Sequence, residues 1–349
     1  MKKAFFFLAG FTVLLISISS CNGSKHKADI SGINVSLKTT RFEKDFFQLD
    51  TTDLDKGLNQ LKEMHPDFFN DFVLKILGLE GTDTTQWNSM IKKFIHDYKP
   101  IYDSTVQLDG DIQNVGTELT TAFRYVKFYF PEYQLPEKFI TFVGPIDAFA
   151  YAETGGSGEV LTTNAIAAGL QLHLGATSSI YKSEAGMQLY PEYISRKFEA
   201  KQIPINAMKI VIDDILPPLK RGGNLLDILA DHGKRMYLLD LFLPNTPEAD
   251  KLGYTEAQLK AVQENEGFVW NYFTENNLLY ENDLLKIRSF VNDGPSTAEF
   301  GLGSPGYISL FIGKQIIEKY MDKNPDTDLN KLLSLSSTEI LKGSGYKPR

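Results

Sequence analysis

Cys21 is the only cysteine in the chain, and its position tells what its thiol is for. Lys2 and Lys3 precede an apolar run over residues 4–18, and Ile18-Ser19-Ser20 lead into the thiol. A positive start, an apolar stretch of about 7–15 residues and small residues before a cut describe a secretory signal peptide. The run is too short to span a membrane as a helix, which takes about 20 residues. A lone thiol at that junction serves as an acylation site. Cys21 is therefore expected to become the lipid-bearing first residue after cleavage behind Ser20.

The other chemistry-bearing residues form no complete motif. The five histidines are His26, His65, His96, His173 and His232, and no two stand within four positions of each other, so no local metal pair exists. There is no HExxH, GxSxG or Walker A sequence. Asp213-Asp214 could be acid/base partners or simply a polar helix edge. Gly301-Leu302-Gly303-Ser304-Pro305-Gly306 spells GxGxxG, but a dinucleotide fingerprint follows a strand and opens a βαβ unit. A tight turn into a helix is the expected reading. Asp322, Asn324, Asp326 and Asp328 alternate like a calcium loop but lack its Gly at position 6 and Glu at position 12. No catalytic, metal or cofactor site is assigned.

These residues must be carried by helices for the most part. Leu54, Leu58, Leu61 and Met64 share a helical face, as do Ile112, Val115, Leu119, Ala122, Phe123, Val126 and Phe130 before Pro131. Further helices are predicted over 206–216, ending at Pro217-Pro218, and over 224–242. Another starts at Thr255 with Gln258 completing a capping box; its inner face is Leu259, Val262, Val269, Trp270 and Phe273. The last spans 305–321, with Pro305 in its first turn. Strand signals cluster at 138–143, 148–154 and 159–163, the last two flanking a Gly155-Gly156-Ser157-Gly158 turn read as a hairpin. The fold class is α+β, predominantly helical, with a small central sheet.

Composition narrows the partners. The full chain carries −8; without Lys2 and Lys3 the balance is 34 basic against 44 acidic residues, a net −10. Nucleic acid and anionic lipid surfaces attract basic patches, so neither is an expected partner. With no second cysteine there is no disulfide, and the 42% hydrophobic content must supply the core. Three segments are expected: a signal peptide over 1–20, a lipidated flexible tether over 21–37, and one globular domain over 38–349.

Taken in order, several stretches resemble the gliding-motility lipoprotein GldB family. They are RFEKDFF at 41–47, HPDFF at 65–69, FYFP at 128–131, and LQLHLG at 170–175 with Tyr181 and the YPEY of 190–193. GYISLFIG at 306–313 completes the series. The resemblance implies a membrane-anchored, non-catalytic component of the gliding machinery. Its partners would be the membrane, through its lipid, and other gliding-machinery or envelope proteins. No catalytic residue comes with it. Asn22 after the cysteine is not the Asp of an inner-membrane retention signal, and Lys25-His26-Lys27 is basic rather than acidic. The expected place is the outer membrane facing the periplasm, with the inner membrane as the rival.

The layout of a sheet followed by two helices is also similar to that of zinc metallopeptidases. The helix over 207–215 would carry HExxH and has no histidine, while His232 falls where a zinc-binding Glu would stand. Two readings stay open, a degenerate zincin-like scaffold or a coincidence of helix order. The alternative functions are an envelope hydrolase or a ligand-binding lipoprotein. For the latter, Phe142, Phe149, Tyr151, His173 and His232 are the candidate ligand or partner surface.

Overall fold

The computed structural model describes residues 27–148, 150, 158–219 and 223–349. Cys21, the signal peptide, Phe149 and Tyr151 lie outside the described residues.

Four strands form one sheet in the order β1-β2-β4-β3. They are β1 (Lys38–Arg41), β2 (Lys138–Phe142), β3 (Glu159–Leu161) and β4 (Ala165–Gly169). The first three in that order run parallel, with Thr40 opposite Ile140 and Ile140 opposite Ala167. β3 alone is antiparallel. The all-buried Ala165-Ile166-Ala167-Ala168-Gly169 is the apolar run of a strand covered on both faces. β3 pairs with β4 through a tight connection in which Ala165 N–H donates to Thr162 Oγ1 at 3.0 Å. The strand expected over 148–154 and the Gly155-Gly156-Ser157 part of the turn lie almost wholly outside the described residues.

Seven helices frame the sheet and the site: α1 (Phe42–Phe47), α2 (Leu54–Met64), α3 (Thr84–Thr105), α4 (Asp109–Tyr129), α5 (Ile203–Ile215), α6 (Leu225–Phe242) and α7 (Ile308–Lys323). The helix-dominant α+β expectation holds. In α2 the face is Leu54, Leu58 and Leu61, whereas Met64 is 58% exposed. Capping boxes stand at both Asn224/Asp227 and Thr255/Gln258. The face read from Leu259 to Phe273 belongs to two helices, Glu256–Glu264 and Glu266–Glu275, joined at Asn265. α7 starts at Ile308, after Tyr307 in the left-handed region (φ 56°), so Pro305 lies before the helix.

The core beneath the sheet is aromatic. The Phe42 ring lies 5.1 Å from Phe68 and 4.7 Å from Phe72, and Phe142 of β2 is 5.4 Å from Phe68. On the other side α6 and α7 cross at Gly233 and Gly313 with their backbones touching.

The tether is shorter on its described side than residues 21–37. Arg124 of α4 donates to the carbonyls of Ile30 and Ile33, and Ala28, Ile30, Val35 and Leu37 pack against the core. The chain is docked from Ala28 onward.

Candidate functional site

One group of polar and charged residues lies where α5 and α6 face β3 and the start of α7, while the buried Glu43, Lys234, Lys251 and Lys314 pair elsewhere. At the sheet end, Glu159 and His173 are both buried, and His173 Nε2 lies 2.8 Å from Glu159 Oε1. The distance is that of an ion pair, but the alignment is not that of a hydrogen bond. Among the described residues, neither oxygen of Glu159 nor Nε2 of His173 has a hydrogen-bond partner. His173 Nδ1 sits 3.2 Å from Glu199 O.

α5 presents Lys209 and, one turn on, Asp213. α6 answers with Asp231, His232 and Arg235. Arg235 uses its whole fork: Nε to Asp231 Oδ2 at 2.7 Å, Nη1 to Asp213, and Nη2 to Leu216 O at 2.8 Å, past the end of α5. A guanidinium suits this lacing because it offers donors in fixed directions. Residual Asp213 desolvation is not cancelled: burial raises its carboxyl above the ordinary range, while Arg235 lowers it.

His232 Nδ1 meets Ser309 Oγ at 2.9 Å, and its ring stands edge-on to Tyr307 at 5.2 Å. Tyr307 is held by Asn292 O, which accepts its N–H at 2.9 Å, and by Tyr254, whose hydroxyl donates to its carbonyl at 3.1 Å. A tyrosine with positive φ is a strained residue that persists only when its surroundings hold it, and such residues cluster at functional sites.

Lys209 and His232 each keep part of their surface, yet burial dominates both titrations. It pushes the Lys209 ammonium down to about 8, with Lys197 adding and Asp293, Glu159 and Asp213 opposing. It pushes His232 down to about 4, against Asp231 and with Arg235. Both are ringed by packed helices and keep only part of their surface in contact with water. Lys209 forms no ion pair or hydrogen bond among the described residues, unlike Lys197, which pairs with Asp293.

The chemistry of this cluster is limited by access. Ser309 and His232 have the spacing of a nucleophile and its base, but Ser309 has no exposed surface, so a substrate carbonyl does not reach it. Among the described residues, no three of His, Cys, Asp and Glu stand close enough to share a metal ion. Asp213 and Asp214 are not partners: Asp214 accepts from the Tyr133 hydroxyl at 2.8 Å on the outside of α5. The GxGxxG stretch is a turn in which Ser304 Oγ ties back to Thr297 and Gly301.

Of the sequence-predicted surface, His232 stands partly exposed in this cluster and His173 lies buried beside it, past the end of β4. Phe142 has no exposed surface and packs into the aromatic core with Phe68 and Phe72, so it serves packing. Phe149 and Tyr151 lie outside the described residues. Lys209, Asp231 and Arg235 were not singled out. Their signal was present as charges at i, i+4 on otherwise apolar helices.

His232 gives a testable pH dependence. Its folded pKa lies below the ordinary value of about 6.5, so its contribution is fully present above pH 6.5 and is lost as pH falls toward 4. Between pH 7.5 and 5 that amounts to about 2 kcal/mol. Urea midpoints should fall over this interval in the wild type and fall less in His232→Asn. Equal pH slopes would show that His232 is not held neutral by the fold.

No curated protein and no solved structure matches the chain, and among the described residues no helix is long and apolar enough to cross a membrane. The family model described as gliding motility protein GldB matches residues 23–348. With nearly its whole length matched, the chain belongs to the GldB gliding-motility family.

Proposed function

We propose that this protein is a lipid-anchored, non-catalytic interaction component of the gliding machinery, held on the outer membrane through Cys21 and facing the periplasm. The whole-length family match carries this reading. The ion-pair cluster supports the non-catalytic part, because Arg235 is committed to Asp213, Asp231 and Leu216 O, and Lys197 to Asp293. Charges spent on one another cross-link helices rather than wait for a substrate. The signal peptide supports the anchor, since acylation at Cys21 places the domain beside a bilayer without a spanning helix. Docking from Ala28 onward keeps it close to that surface.

One observation favours a second reading, that of a ligand-binding or hydrolytic lipoprotein on a metallopeptidase-like scaffold. Lys209 is a partly exposed amine with a lowered pKa and no partner among the described residues, the kind of group that perturbed titration marks as functional.

The test is genetic and chemical together. A strain lacking the protein should lose colony spreading, and the wild-type chain should restore it. Cys21→Ala should leave an unlipidated, uncut precursor by mass spectrometry and fail to restore spreading. Protease added to intact cells should leave the domain whole. Lys209→Met, if as stable as wild type, should still restore spreading. Its failure would move the function to the second reading, and normal spreading of the deletion strain would remove the gliding role altogether.

A further inference from the structure

The two ends of α6 carry different surfaces, and the N-terminal chain is tied to one of them. Just past the C-terminal end, Asn245 accepts a hydrogen bond from the Lys27 ammonium. The next residue, Thr246, donates to Glu118 of α4 at 3.2 Å. Farther along α4, Arg124 holds the carbonyls of Ile30 and Ile33. At the other end of α6, Leu225 N–H donates to Glu281 O at 3.0 Å. Around that carbonyl stand Tyr280, Leu284 and Leu285, exposed by 66%, 58% and 74%. α6 has 18 residues, so at 1.5 Å per residue about 27 Å separate the two ends.

A cluster of exposed apolar side chains is the surface that ordinarily seeks lipid or a partner. Reach decides whether it can seek lipid here, given the anchoring at Cys21 proposed above. Six residue steps lead from Cys21 to Lys27, and fully extended they span at most about 20–22 Å. With Tyr280, Leu284 and Leu285 seated on the bilayer and α6 standing above them, Lys27 would be held about 27 Å from the surface, beyond that span.

We propose that the end of α6 bearing Asn245 and the docked Lys27 is the bilayer-facing surface of the domain, and that the cluster of Tyr280, Leu284 and Leu285 is turned away from lipid. The facing end suits headgroups. Asp29, Ser31, Asn34 and Asn245 are among its exposed side chains, and such groups are costly to bury in hydrocarbon. The domain therefore rests against the headgroups without inserting, and the acyl chains on Cys21 supply the hold.

The test uses the full lipidated chain in phosphatidylcholine vesicles that carry an energy-transfer acceptor on a headgroup lipid. Acylation occupies the thiol of Cys21, so Pro247→Cys and Leu285→Cys each offer one free thiol for a donor dye. Both side chains are exposed, and the circular dichroism of each variant should match the wild type. The dye at position 247 should lose most of its emission to the acceptor, and the dye at position 285 little of it. A glycine-serine insert of roughly ten residues after Asn22 adds a flexible span of about 15–20 Å and should shrink that contrast. Equal transfer from both positions, or stronger transfer from 285, would overturn the proposal. A contrast that survived the insert would overturn it too, because something other than the tether would then set the orientation. Flotation with the vesicles and the intact mass are read first. A chain that fails to float or carries no acyl group would sink the anchor reading, and this inference with it, whereas floated protein with the wrong transfer pattern sinks the orientation alone.

Discussion

Gly313→Ala is expected to cost about 3 kcal/mol or more and to lower the urea midpoint by roughly 1 M. A Cβ at Gly313 would lie 2.1 Å from Leu229 O, and one at Gly233 would lie 2.2 Å from Gly313 O. Real carbon–oxygen contacts need over 3 Å, so α6 and α7 would have to part by about 1 Å at their crossing. Every side chain between them would lose close packing. Alanine also gains about 1 kcal/mol over glycine as a helix former, so the two effects oppose. Separating two packed backbones outweighs one residue's helix preference. Gly110 in α4 provides the contrast, because a Cβ there meets nothing within 4 Å. Gly110→Ala should therefore leave stability unchanged or raise it by up to about 1 kcal/mol. Urea unfolding followed by circular dichroism measures both. A Gly313→Ala midpoint matching the wild type would mean that the helices tolerate separation and that the glycine pair is incidental.

The helices were legible because their signals are local. Leu54, Leu58 and Leu61 repeat with the helical period, and Asn224/Asp227 and Thr255/Gln258 announce starts within four residues. α3 was harder. Its apolar residues Ile91, Phe94, Ile95, Tyr98 and Tyr102 keep a helical spacing, but Pro100 is the residue that ordinarily ends a helix, and α3 carries it. β4 was illegible for a different reason. Alanine and glycine have little strand preference of their own. Ala165–Gly169 is a strand because β2, more than twenty residues earlier, offers a parallel edge and because both faces are covered. That information lies in the partner, not in the segment. The split at Asn265 was hidden since Val262 and Val269 stay seven apart and mimic one continuous face.

The site divides along the same line. His232 and His173 could be named from residue type, but which of them keeps contact with water depended on tertiary packing. Phe142 had the composition of a pocket wall and proved to be the centre of an aromatic core. Lys209 reads as a surface lysine in sequence. Only tertiary packing around α5 buries it, so its lowered pKa was not readable in advance. The cross-links between α5 and α6 were equally invisible, because Asp213 and Arg235 are 22 positions apart.

Those cross-links set the other large expectation. Arg235→Met removes one cation and leaves Asp213 and Asp231 facing each other across α5 and α6. Breaking a fully buried pair costs about 3–5 kcal/mol. Asp213 is 44% exposed on its side chain, so water screens part of the loss and about 2–3 kcal/mol is expected here. The deficit should depend on pH in a fixed direction. Asp213 already has a raised folded pKa, from burial first, and Arg235 is the group holding it down. Without Arg235 the folded state takes up a proton at Asp213 still more readily than the unfolded chain does. Ionisation then costs stability as pH rises through that range, so the deficit is largest near pH 7.5 and shrinks as pH falls toward 4.5. Arg235→Lys should recover only part of the loss, since an ammonium cannot span Asp213, Asp231 and the Leu216 carbonyl in the fixed geometry of a guanidinium. Urea midpoints of wild type, Arg235→Met and Arg235→Lys at the two pH values decide the matter. A deficit equal at both would assign the role of Arg235 to its bond with Leu216 O and to the packing of its stem, not to the two carboxylates.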